Sequence, residues 1–444
     1  MFGSYHRNRV LTAITGTFLV LIGIGCELLG DDPTPGIGDV EEIAYQDHIQ
    51  PIFNNRCSTC HGGDRVESGL RLESWSSLIE GSDFGEAIIP FSPEQSLMIK
   101  LLTRTGAAPH PSGKRELTLD EVQLLKRWIA EGARGPTGEV PYSDSIDLIY
   151  VANEGEAAVT VIDVEAKLVV RRVDLTKHGF SDRARARHIA VEPDGSFWYV
   201  SVGSTRLSDV QAVVKFTREN QFVGQVVLDY PGQLLIHPTQ DVLYASRQPS
   251  DLDTSRHLVE IRRSDMSAIQ VDVTFPNAYP IAIRPQGDFV FSSSVDVDQM
   301  VIMDVDDLNV SFFDIKGVKH AFSYFTMAPW GVKMWGSALR SGTLTLFNTS
   351  NPNRIVQHHS LRVGSDPRQL TYSPDARRVY AAVRGSDQVA VLNAVSEIID
   401  GYILRVPSGS PSRRMVNIFS SPAKIRMGAI SRVIHSRESW LLEQ

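Results

Sequence analysis

The sequence predicts a multidomain protein, a small all-α domain followed by an all-β propeller. Two observations carry this. Aromatic strand anchors recur every 44 to 49 residues through the C-terminal two-thirds of the chain, a period that belongs to propeller blades. Ahead of them, apolar residues at i, i+3 and i+4 spacing mark a capped helix over residues 118–131. The composition suits folded domains: 444 residues, 42% hydrophobic and 22% charged. The formal net charge of −8 leaves no basic excess, which argues against a nucleic-acid partner. The cysteines are Cys26, Cys57 and Cys60, an odd number that rules out a simple disulfide scaffold.

Residues 1–25 read as an export signal. His6, Arg7 and Arg9 form a basic start without acids, and residues 10–25 carry no charge. As a helix those 16 residues rise only about 24 Å, short of a hydrocarbon core of about 30 Å, so a cleaved signal fits better than a permanent span. Cys26 follows Gly23-Ile24-Gly25. Small residues before a cysteine resemble a bacterial lipoprotein signal, in which the cysteine is lipidated and becomes the mature N-terminus. The resemblance departs at Gly23, where a leucine is usual. The alternative is an ordinary signal with an incidental cysteine, although a lone exported thiol is a liability. Lipidation at Cys26 implies a membrane anchor and a place on the periplasmic face of a membrane or the cell surface. Glu27 behind it leans toward the outer membrane by the same resemblance. Residues 26–40 are acidic and rich in Pro and Gly, and read as a tether.

Residues 41–134 hold the chemistry. Cys57-Ser58-Thr59-Cys60-His61 is C-x-x-C-H, the attachment motif for a c-type haem. Two closely spaced thiols can add to the two vinyl groups of one porphyrin, and the adjacent imidazole then reaches the iron as proximal ligand. Two other readings compete. A C-x-x-C redox pair calls for a thioredoxin-like βαβ pattern, which this stretch lacks. A structural zinc site calls for further ligands at finger spacing, and no other cysteine is available. An export signal also matches the compartment in which haem is attached. Ile49-Gln50-Pro51-Ile52-Phe53 before the motif predicts a short helix. After it, Thr118 with Glu121 forms a capping box, Val122, Leu124, Leu125, Trp128 and Ile129 form the apolar face, and Gly132 stops the helix.

This run resembles the planctomycete-type cytochrome c domain. The resemblance rests on Pro51-Ile52-Phe53, Arg56-Cys57-Ser58-Thr59-Cys60-His61, Gly69-Leu70, Ser96-Leu97, and Leu117-Thr118 through Ala133. It implies one covalent haem c on Cys57 and Cys60, with His61 as the proximal axial ligand. One departure matters. The family usually carries a Met-Pro pair before the Leu-Thr of the last helix, and that methionine is the distal ligand. Here the aligned pair is His110-Pro111. The resemblance therefore implies His110 as distal ligand and a bis-histidine iron. Met98 is the alternative, although its place on an apolar helix face reads as core. His48 is a further alternative. Exchange of a thioether for imidazole favours ferric iron and lowers the potential.

Residues 146–430 predict the propeller, with residues 431–444 as a tail. The anchors Tyr150, Tyr199, Tyr244, Phe291, Trp335 and Tyr380 are spaced 49, 45, 47, 44 and 45 apart. From the second on, each follows a turn proline by 6 residues: Pro193, Pro238, Pro285, Pro329 and Pro374. Each repeat reads as four strands: an apolar strand before the proline, the anchor strand, and two more. The pattern resembles the YVTN-family β-propeller, on Tyr150-Val151-Ala152-Asn153, Val161-Ile162-Asp163 and Ser365-Asp366-Pro367. Six repeats are clear. The family norm implies a seven-bladed plan with an incomplete last blade starting at residue 421. Residues 415–418 could instead close a six-bladed ring as the inner strand of the first blade.

The propeller histidines show no ligand spacing and read as loop or surface residues. Arg185, Arg187, Arg368, Arg413 and Arg414 fall near inner-strand starts. They read as ordinary loop charge, with anion attraction as the alternative. The expected function is that of an exported, lipid-anchored monohaem cytochrome. It transfers electrons to a redox partner protein, with the propeller as a binding platform for an unnamed ligand. Two alternatives stay open: a haem-dependent oxidoreductase with a site between haem and propeller mouth, and a surface interaction protein with a supporting haem domain.

Overall fold

The computed structural model describes residues 41–104, 110–111, 116–206, 208–247, 250, 256–317 and 319–403. The expected export signal, Cys26 and the tether to residue 40 lie outside the described residues, as do Arg413, Arg414 and everything from residue 404 on. Among the described residues no helix is long and apolar enough to cross a membrane.

The helical domain opens with three segments running end to end, Tyr45–Ile49, Gln50–Ile52 and Phe53–Cys57. This entry helix is longer than the short helix expected around Pro51. The extra turns come from Tyr45 and Ile49, both buried, which add to its apolar face. The closing helix, Leu119–Ala130, packs against it through Trp128. The Trp128 ring centre lies 5.6 Å from Tyr45 and 6.4 Å from Phe53. Both ends of the closing helix follow the sequence. The Thr118 hydroxyl accepts from the Glu121 amide at 3.1 Å, and the Glu121 carboxylate accepts from the Thr118 amide at 2.7 Å. At the other end Gly132 takes a positive φ of 107°, and its amide and that of Ala133 return to Ile129 and Trp128. A Cβ at Gly132 would sit 2.8 Å from Phe91. Two short helices, Trp75–Ile79 and Leu97–Leu102, lie between. One departure from the all-α expectation is a small hairpin, His61–Gly62 paired with Arg65–Val66. The chain reverses there at Gly63, which holds a φ of 60°.

Six antiparallel sheets follow among the described residues. Blade 1 has three strands, Leu148–Asn153, Ala158–Asp163 and Leu168–Asp174. Blades 2 to 6 have four strands each in meander order. The four-strand reading of the repeat is met in each of these. The anchor falls in the second strand, where Tyr199, Tyr244, Phe291 and Trp335 are fully buried, and the turn proline follows the first. Cores form between successive blades. Trp198 stacks on Phe216 at 4.5 Å and contacts Tyr150 of blade 1 at 5.1 Å. Phe291, Phe322, Phe325 and Phe347 fill the gap between blades 4 and 5. The residues expected to close the ring or begin a seventh blade lie outside the described residues.

The inner strands of blades 2 to 6 are Arg185–Val191, Pro231–Ile236, Ala278–Ile283, Phe322–Met327 and Pro367–Tyr372. Each breaks register near its start, between 186 and 188, 231 and 234, 278 and 281, 322 and 324, and 367 and 370. A bulge of this kind re-aims a side chain, and here it recurs at one level of the ring. Second-strand serines pin it. Ser201 donates to Gly232 O at 2.7 Å, and Ser337 donates to Arg368 O at 2.6 Å.

The helical domain docks on the outer strand of blade 1. An outer strand leaves backbone groups unpaired, and the helical domain meets them. The Val169 amide donates to the Glu86 carboxylate at 3.2 Å, and the Ser92 hydroxyl donates to Arg172 O at 3.3 Å. Arg171 lies 5.6 Å from the Phe91 ring centre and donates to Pro141 O at 2.7 Å. Tyr142 donates to Ile79 O at 2.6 Å.

Candidate functional site

The C-x-x-C-H residues sit where the entry helix ends and the hairpin begins. Cys57 is the last residue of the Phe53–Cys57 segment, and the Cys60 amide turns back to Cys57 O at 3.1 Å. The two thiols are not joined to each other. Burial pushes the Cys57 thiol up to about 11, with the nearby Glu121 carboxylate adding and Arg56 opposing. At neutral pH it is a protonated, slow nucleophile. His61 follows in the hairpin, and its carbonyl accepts from Leu72 at 2.8 Å. Gly62 permits this tight approach, since a Cβ there would lie 2.9 Å from Ser58 O.

These residues line one wall of a cavity of about 430 Å³. Its floor is apolar: Phe53, Leu70, Leu72, Ala87 and Leu125. His110 faces His61 across it, with ring centres 6.0 Å apart and planes at 55°. Both ring nitrogens of His61 are buried without a hydrogen-bond partner within ordinary distance. Burial lowers the His61 pKa, His110 lowers it further by like charge, and backbone groups of Leu70 and Glu67 oppose more weakly. The imidazole is therefore neutral, the form that binds metals.

The fit to a haem can be tested on these facts. A metal–imidazole bond of about 2 Å on each side, with each ring centre about 1 Å further, spans about 6 Å. That matches the separation of His61 and His110. An orphaned buried imidazole, a facing imidazole, two thiols and an apolar floor all meet on one cavity of the size of a small-molecule site. Met98 also lines the cavity. It was expected in the core, but the fully buried residue of its helix is its neighbour Ile99. His48 is not among the lining residues, and its Nδ1 is 3.0 Å from the Ala44 amide nitrogen. Arg56 and Arg65 line the cavity too. Arg56 pairs with Glu121 at 3.0 Å, so one carboxylate both caps the closing helix and holds the residue before Cys57. The Thr118–Glu121 box was legible in sequence, but this second bond was not.

A second, smaller cavity of about 80 Å³ lies at the propeller channel. Arg187 and Arg368 reach it and Arg185 does not. Arg384 was missed by sequence reasoning but lines it as well. His188 is buried there rather than exposed as expected. His178 stacks on Phe222, and His237 Nδ1 accepts from the Thr239 and Gln240 amides.

Fold and site together define a class, a cytochrome c-like helical domain followed by a β-propeller. Residues 57–106 match the family model of planctomycete cytochrome C. Residues 139–268 match that of the lactonase 7-bladed beta-propeller. No curated protein matches the sequence. Among solved structures, the chain is similar to a functionally unknown protein from Desulfotomaculum acetoxidans DSM 771, at 14% identity and TM-score 0.45, covering 58% of this chain and 85% of that one. It is also similar to Kuenenia stuttgartiensis hydrazine synthase, at 14% identity and TM-score 0.44, covering 57% and 82%. A nidogen/laminin complex follows at 9% identity and TM-score 0.44, covering 58% and 94%. At these values the likenesses carry no argument about function.

Proposed function

We propose that this protein is an exported monohaem c-type cytochrome that transfers electrons, with its propeller as the platform for a partner or ligand. The observation that carries the reading is the His61–His110 pair, 6.0 Å apart over a cavity whose wall holds Cys57 and Cys60. Cys57 and Cys60 would hold haem c by thioether bonds, His61 would be the proximal ligand and His110 the distal one, with Met98 the alternative. The group supplies one-electron cycling between ferric and ferrous iron. The chain's own part is orientation and exclusion of water. The Arg56–Glu121 pair fixes the end of the entry helix beside Cys57, and Phe53, Leu72 and Leu125 keep the cavity floor dry. Two histidines held to the iron would leave no open position for a substrate, which favours a carrier over an enzyme. With both bound, the potential would lie below that of a Met/His-ligated cytochrome.

The remaining assignments complete the proposal. Cys26 would carry the lipid, placing the protein on the periplasmic face of a membrane or at the cell surface, and a redox protein would be the partner. A redox titration with optical spectra tests the reading on protein co-expressed with a haem-attachment system. The expected result is a low-spin haem of low potential, in which His110→Ala produces a high-spin form that binds CO. A thioether-to-iron charge-transfer band, or a spectrum unchanged in His110→Ala, would refute the bis-histidine assignment.

A further inference from the structure

The repeated bulge builds a second site. Counting back from each turn proline, the sixth residue is Arg187, Gly232, Tyr279, Ser323 or Arg368, and the fifth is His188, Gln233, Pro280, Tyr324 or Gln369. Eight of these ten side-chain positions line the small cavity at the channel, and only Gly232 and Pro280 do not. The bulge thus turns two residue positions per blade toward one point. Glu154 of blade 1 and Ala382 and Arg384 of blade 6 complete the wall.

The hydrogen bonds there have a direction. The Leu234 amide donates to His188 Nδ1 at 3.2 Å, so the proton of this neutral imidazole is on Nε2. Nε2 then donates to the Tyr324 hydroxyl oxygen at 3.2 Å. Gln369 Nε2 donates to the same oxygen at 3.5 Å. Tyr324 is an acceptor in both bonds, which leaves its own O–H to donate. Burial pushes its pKa up to about 12, so the proton stays on. Tyr279 is in the same position. Burial raises its pKa most, Glu154 adds, and Arg368, the Gln233 hydrogen bond and Arg187 oppose. Two phenolic donors and three guanidinium groups therefore converge. Among the described residues, the acids in reach are Glu154, on the wall, and Asp366, which pairs with both Arg368 and Arg384.

We infer that this end of the propeller channel binds a small carboxylate, held by the Tyr279 and Tyr324 hydroxyls and by the guanidinium groups of Arg187, Arg368 and Arg384. The chemistry selects the class. The site is rich in donors and poor in acceptors, as an oxyanion requires, and planar guanidinium forks match a planar carboxylate. A space of about 80 Å³ admits a few heavy atoms, since one water occupies about 30 Å³ of liquid. The site does not depend on the haem reading, because none of its residues belongs to the helical domain.

The test is saturation-transfer NMR of acetate with the full-length protein at constant ionic strength, with methylammonium as the cationic control. Acetate should give a saturable signal that formate competes away, and methylammonium should give none. Tyr324→Phe and Arg384→Gln should each weaken acetate binding by about tenfold or more, the effect of losing one hydrogen bond to a charged group. Both changes leave the blade cores untouched. Absence of saturable acetate binding, wild-type affinity in both variants, or tighter binding of phosphate than acetate would overturn the inference.

Discussion

Single side chains set the chemistry of both cavities, through what burial does to them. His188 is the clearest example. Its imidazole is enclosed in the channel, and burial pushes its pKa down to about 4. In the unfolded chain it would titrate near about 6.5. Between these values the unfolded state binds a proton that the folded state does not, so stability falls as pH falls. The contribution is complete above the unfolded value and lost as pH drops through the folded one, about 3 kcal/mol in all. Urea unfolding between about pH 7 and about pH 4.5 should show that slope, and His188→Gln should flatten it. An unchanged slope would place the titrating group elsewhere. His61 is also buried, but without the hydrogen bonds that satisfy His188.

Helices and strands carry these side chains to their places, and their end signals were the most readable part of the sequence. Thr118 and Glu121 close a reciprocal cap, as their spacing implied. Thr118→Ala should lower stability by about 1 kcal/mol in denaturant unfolding. A loss near zero would mean that the Arg56–Glu121 pair, rather than the cap, holds the helix start. The propeller repeat was legible for a similar reason, because each blade must turn after its inner strand and bury an aromatic in its second. The channel site was not legible. Arg187, Tyr279, Tyr324 and Arg384 come from four blades, and the bulged register turns the first three toward Arg384. Their common distance from the turn proline was the available signal for Arg187, Tyr279 and Tyr324. Arg384 follows a second strand and had none. Met98 was misjudged because Met98 and Ile99 are adjacent on one apolar helix, and periodicity alone does not say which one a cavity will uncover.

The assembled chain adds one relation that no single element shows. The outer strand of blade 1 is half covered, while the outer strands of blades 2 to 6 are largely exposed. The cover is the helical domain, which supplies Glu86, Phe91 and Ser92 to that edge. Arg171 is central to this contact, and burial there lowers its pKa to about 10. Arg171→Ala should uncouple the two domains, so that calorimetry resolves two unfolding transitions in place of one. A single transition would show that the remaining contacts suffice. Docking fixes the cavity beside Cys57 and Cys60 relative to the channel. All of this turns on whether the cavity beside Cys57 and Cys60 takes a covalent haem. Denaturing mass spectrometry of protein co-expressed with a haem-attachment system answers that directly. The account predicts one haem retained per chain after unfolding, and none in the Cys57→Ser/Cys60→Ser double variant. A wild-type chain that unfolds at its bare polypeptide mass would contradict it.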